Sequence, residues 1–203
     1  MNQCIDDICM SGGSPGADKL FGELANAAGH KVIHWSFLNH RSVGRKEDTH
    51  IVSAHKLLQA DERLETAEKY LQRGFPAKLE YVNNLVRRNW QQVRATTCVY
   101  AACSFEDDMK PIGGTAYAIV MAIHTGIPKI FVYNVTTSKW MSFKRKYFNT
   151  LHIHKDEWEE IDLEDIPKPK GVYTGIGMSQ LTENGERAIR SLYEQQHNGV
   201  GYV

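Results

Sequence analysis

Apolar residues follow two alternating rhythms along this chain. Short runs rich in β-branched and aromatic residues, at 5–10, 31–37, 97–104 and 129–134, predict buried strands. Between them, apolar positions return every three or four residues. Leu20, Phe21, Leu24 and Ala28 give a helix over 16–28 that Gly29 ends, and the almost wholly apolar stretch 115–125 gives another. From 51 to 94 the pattern is helical, broken near Gly74-Phe75-Pro76. In the last of these helices Leu79, Val82, Val86 and Val93 form an apolar stripe with Asn89 in its middle, Gln92 at its edge and Arg88 beside it. Residues 38–48 show no periodicity and read as a long loop or an excursion over a ligand, whereas 140–148 is basic and aromatic. Residues 152–158 read as a strand leading into a helical turn, 171–174 as a strand, and 182–196 as a helix capped by Thr182. Strands alternating with helices predict an α/β fold, a mostly parallel sheet with helices on both faces.

Composition narrows the class of protein without naming a chemistry. The 203 residues carry 24 Lys plus Arg against 24 Asp plus Glu, so no excess positive charge draws the chain to nucleic acid or an anionic membrane. No apolar run approaches the ~18 residues of a membrane span. No basic region followed by an apolar run opens the chain, and a cytoplasmic location is expected. Cysteines at 4, 9, 98 and 103 form no CxxC pair and read as buried, inert thiols. The nine histidines, His152 and His154 included, show no closed metal-site spacing, so neither metal nor cofactor is expected.

Two segments carry the candidate chemistry. Ser11-Gly12-Gly13-Ser14-Pro15-Gly16-Ala17-Asp18 joins the first strand to the first helix, and Pro111-Ile112-Gly113-Gly114-Thr115 stands between a later strand and helix. Glycine turns at helix N-termini aim backbone N–H groups and the positive end of the helix dipole at an anion. No Gly-Lys-Ser/Thr follows the first turn, which excludes a Walker loop. The second strand ends in Asn39-His40-Arg41, without the acid of a dinucleotide fingerprint. Tyr173-Thr174-Gly175-Ile176-Gly177 reads as a third glycine turn that closes near the other two.

The SGGxxGAD opening at Ser11 to Asp18, followed later by Gly113-Gly114-Thr115, resembles the SLOG superfamily, which includes the LOG-type nucleotide phosphoribohydrolases and the DNA-processing protein A family. The resemblance covers about 4–135 and implies a Rossmann-like sheet binding a nucleotide or an ADP-ribose-like derivative. It implies a single SLOG-like domain over 1–203, with 136–203 an extension packing on or closing the sheet. Phosphate is expected on Ser11, Gly12, Gly13, Ser14, Gly16 and Ala17 and on Gly113, Gly114 and Thr115, with Arg88, Asn89 and Gln92 supplying donors. LOG enzymes carry Pro-Gly-Gly-x-Gly-Thr-x-x-Glu; aligned on Gly114-Thr115, Ala118 takes the place of the catalytic glutamate. A binding, sensing or carrier role is therefore the leading expectation. The alternative is a nucleotide N-glycosidase in which Asp18 or Glu106 replaces that acid. A homodimer is expected by analogy with related folds, and nucleic acid and membranes are not expected partners.

Overall fold

The computed structural model describes residues 6–148 and 150–194. Eight strands make one sheet: β1 (Ile8–Ser11), β2 (Lys31–Phe37), β3 (Thr49–Val52), β4 (Cys98–Cys103), β5 (Lys129–Asn134), β6 (Lys139–Phe143), β7 (Trp158–Ile161) and β8 (Val172–Gly177). Their order is β3-β2-β1-β8-β4-β5-β6-β7. All neighbours from β3 to β5 are parallel; β6 and β7 add antiparallel pairs, so the sheet is mixed. The helices are α1 (Ala17–Ala27), α2 (Ala54–Leu58), α3 (Asp61–Leu71), α4 (Glu80–Val93), α5 (Gly114–His124) and α6 (Glu183–Glu194).

Side-chain alternation on the central strands explains why both faces are covered. On β4, Val99, Ala101 and Cys103 join a core with α3, α4 and α5, while Cys98, Tyr100 and Ala102 face α1 and α6. β5 divides in the same way, Ile130 and Val132 to one side and Phe131 and Tyr133 to the other. α5 is apolar all round because it is buried all round, from Thr115 to Ile123.

Several elements depart from the sequence pattern. The helical reading of 51–94 conceals β3, a four-residue edge strand whose Ile51 is exposed. The segment 140–148 begins as β6. In 152–158 the order is reversed: a single 3-10 turn, Lys155–Glu157, precedes β7. Residues 173–177 lie within β8 and do not form a turn; Gly175 packs under Phe21, where a Cβ would sit 2.5 Å from the Phe21 Cβ. The segment after 135 supplies β6, β7, α6 and, in β8, a strand at the centre of the sheet. Thr182 caps α6 by accepting from the Gly185 N–H. The expected end of that helix at 196 lies outside the described residues, as does Cys4.

The stripe assigned to α4 also changes. Leu79 and Val82 are exposed, and the buried face carries Asn83, Arg87, Arg88, Asn89, Gln91 and Gln92 beside Val86 and Val93. Arg88 meets the end of β1, so the earlier residues of α4 project beyond the carboxyl edge of the sheet, where Leu79 and Val82 have little to pack against. The buried polar groups are held by specific partners. Arg87 forks onto both Asp61 oxygens at 2.6 and 2.9 Å, and Asn83 accepts from the Ala77 N–H at 2.7 Å.

Candidate functional site

β8 stands between β1 and β4, so the first and second glycine turns leave the sheet two strands apart at its carboxyl edge. Neighbouring side chains on α4 hold one turn each. Arg88 Nη1 donates to the Gly12 carbonyl at 2.7 Å and to Ser14 Oγ at 3.1 Å. Asn89 Nδ2 donates to the Gly114 carbonyl at 2.9 Å, and its Oδ1 accepts from Gln92 Nε2 at 3.1 Å. Of the sequence-predicted donors, Arg88 and Asn89 thus grip backbone carbonyls of the two turns and Gln92 holds Asn89, leaving Arg88 Nε and Gln92 Oε1 buried without partners among the described residues.

The first turn is closed from within. Asp18 turns its carboxylate back beneath the loop, where Oδ1 accepts from the Gly177 N–H at 3.0 Å and Oδ2 lies 3.6 Å from Arg88 Nη2. Burial pushes the Asp18 carboxyl above its ordinary range, opposed by the Arg88 guanidinium and by the amides of Gly177, Ser14 and Gly12. Burial pulls the Arg88 guanidinium down, opposed by Asp18. The Ala17 N–H, at the head of α1, donates to the Met178 carbonyl at 3.1 Å. Ser11 Oγ donates to the Asp18 carbonyl at 3.0 Å. The Gly12 and Ser14 amides thus serve the Asp18 carboxylate and the Ala17 amide serves the chain just after β8, so part of the expected phosphate cradle at Ser11 to Ala17 is engaged within the fold.

Packing accounts for the glycines of this turn. A Cβ on Gly12 would lie 2.5 Å from Arg88 Cζ and Asp18 Oδ2; one on Gly16, whose φ is +80°, would lie 2.5 Å from the Met178 and Ser179 oxygens. Gly13 has φ +62°, and its Cβ would strike Ser42. The 38–48 loop folds over this turn, with the Val43 N–H on the Gly13 carbonyl at 2.8 Å. His34 fills the space beneath, against Gly13, Gly22 and Gly44.

The second turn is open. Gly113 and Gly114 are exposed, and a Cβ on either would meet nothing within 4 Å. They lead into α5, whose first amides have no carbonyl four residues earlier to bind. Gly113 needs glycine for its φ of +80°; Gly114 has no positive φ and no steric constraint. Thr115 is buried beside them.

Neither candidate acid faces an open site. Asp18 has a 2% exposed side chain and is fully engaged, while Glu106 is exposed and bound to Arg73 Nη2 at 2.7 Å. Its loop folds on itself, the Glu106 N–H donating to the Lys110 carbonyl. Ala118 is wholly buried in α5, so an acid there would meet the core. Burial pushes the thiols of Cys9, Cys98 and Cys103 up to about 12, 11 and 12, which keeps them protonated.

A histidine not singled out in the sequence belongs to this site. His40 Nε2 lies 3.2 Å from Arg88 Nη1 and Nδ1 lies 2.8 Å from Ser36 Oγ. Arginine only donates, so Nε2 accepts and Nδ1 carries the proton. Burial, with Arg88 adding to it, lowers the His40 pKa to about 4. Its ring stacks on Phe37, which Tyr81 meets edge-on. Among the described residues no group of three or more His, Cys, Asp or Glu is placed to hold a metal, and no helix is long and apolar enough to cross a membrane. Compared with models of protein families, with curated proteins and with solved structures, the chain finds no match.

Proposed function

We propose that this protein binds a nucleotide or ADP-ribose-like small molecule at the carboxyl edge of a Rossmann-like sheet, with phosphate on Gly113, Gly114 and Thr115. Its role is to sense, sequester or carry that ligand in the cytoplasm. The observation that carries this reading is the contrast between the glycines. Those of the first turn are required by the chain's own packing, whereas Gly114 has open space and unstrained backbone. Glycine loses more backbone freedom on folding than alanine does. Close approach of a phosphate to the α5 N-terminus supplies the missing reason for it. The order of the two motifs, which resembles the SLOG superfamily, supports the same reading.

Binding is favoured over hydrolysis because Asp18 and Glu106 are both committed to arginines and Ala118 brings no acid. A thermal-shift panel of nucleoside monophosphates, NAD and ADP-ribose, with chromatography for free base, tests the reading. Ligand at a hundred times its Kd adds about 2.7 kcal/mol, or about 5–10 °C in Tm for a chain of this size. Gly114→Glu places a carboxylate at the cradle and is expected to abolish the shift while leaving the unliganded Tm in place. Release of free base overturns the binder in favour of an N-glycosidase. The absence of any shift across the panel removes the assignment altogether.

A further inference from the structure

We infer that the overhang of α4 is the nucleobase shelf of this site, with Tyr81 as the ring on which the base stacks; this rests on the function proposed above. Tyr81 and Arg88 are seven residues apart, so they share one face of α4 about 10 Å apart along its axis. Arg88 is tied to the first turn and Tyr81 meets Phe37 at the end of β2, so Tyr81 stands beside the first turn at the carboxyl edge of the sheet. Tyr81 is 44% exposed, and its ring is held. It meets Phe37 edge-on at 5.5 Å; Phe37 stacks on His40 at 5.0 Å; and His40 is bound at both nitrogens, to Ser36 and Arg88. A rigid aromatic with an open face offers stacking at little entropic cost.

The surroundings fit a flat, apolar ligand group. Among the described residues eleven large hydrophobic side chains are exposed, and six belong to this edge: Leu38, Val43, Leu79, Tyr81, Val82 and Ile112. Leu38 follows Phe37 directly and is 78% exposed. Ile112 precedes the open Gly113-Gly114 turn, and its N–H is held by the Ser104 carbonyl at 2.9 Å. Anion-binding amides and an apolar aromatic rim thus occupy the same edge, which matches the two ends of a nucleoside phosphate. Arg88, 5% exposed with an Nε that has no partner among the described residues, is held at the first turn by Gly12 and Ser14.

Calorimetric titration of the full chain with ribose 5-phosphate and with each nucleoside monophosphate tests this inference. The wild type is expected to bind its preferred monophosphate at least tenfold more tightly than ribose 5-phosphate. Tyr81→Ala is expected to erase most of that advantage while leaving the ribose 5-phosphate affinity unchanged, and Tyr81→Phe to retain it. An advantage that survives Tyr81→Ala overturns the shelf but leaves the phosphate site standing. If neither ligand class binds the wild type, the underlying function fails, and the shelf fails with it. Dimerisation in sedimentation that Tyr81→Ala abolishes, with ligand affinities untouched, also overturns the shelf, by making this edge a contact between copies.

Discussion

The Asp18–Arg88 pair decides how the first turn is held, and a double-mutant cycle measures it. Asp18→Asn keeps an oxygen for the Gly177 N–H while removing the countercharge of a guanidinium whose side chain is only 6% exposed. Arg88→Met keeps the length and apolar stem while stranding the Asp18 carboxylate. Breaking one side of a buried pair costs about 3–5 kcal/mol, because the other charge stays buried. Arg88→Met also strips the donor from the Gly12 carbonyl, adding about 1–3 kcal/mol for an unsatisfied buried acceptor. The double variant leaves neither charge stranded, so its loss should fall short of the sum by about 1–3 kcal/mol. Urea unfolding of the four proteins at pH 7, with matched m-values, gives the coupling directly. Losses that add to within about 0.5 kcal/mol would refute the view that Asp18 serves as the internal anion of this turn.

Other consequences can be checked in the same assay. His40 has its pKa lowered to about 4 from 6.5, so the folded state binds fewer protons than the unfolded between those values. Its contribution is fully present above pH 6.5 and is lost as pH falls toward 4, by at most ~1.4 kcal/mol per pH unit. His40→Gln should flatten the stability profile in that window, and an unchanged slope counts against the assignment. Gly16→Ala must accept φ +80° and a Cβ 2.5 Å from two backbone oxygens; a loss of about 2–4 kcal/mol is expected, against no measurable loss for Gly114→Ala. Gly175→Ala should cost about 1–3 kcal/mol by driving α1 off the sheet through Phe21, and a neutral outcome would contradict the packing of α1 over β8.

Elements whose character is local could be read from the chain. β2, β5, α1 and α5 fall within a residue or two of their expected bounds, because apolar rhythm fixes them and, for the two helices, a following glycine marks the end. β3 escaped because four residues beside a helical stretch carry too short a pattern, and its pairing with β2 exists only in space. The site shows the same division. The donors Arg88, Asn89 and Gln92 were legible as polar residues on a helix face, but their targets were not. An aspartate in a first helical turn reads as a complement to the dipole. That it bends back to the Gly177 N–H depends on a strand arriving 159 positions later. Likewise, nothing in the letters separates Gly16, packed against Met178 and Ser179, from Gly114, which faces open space.

The placement of β8 also bears on how the chain reaches its fold. Until residues 172–177 are available, β3-β2-β1 and β4-β5-β6-β7 are two sheets with no strand pairing between them, each with a bare edge at β1 or β4. Those edges are apolar and built for pairing, which makes the incomplete chain prone to join other chains through them. The chain through Gly177 must leave the ribosome before the two turns can be brought to their final spacing. A chain that stops before β8 holds both glycine motifs but lacks the strand that sets their spacing.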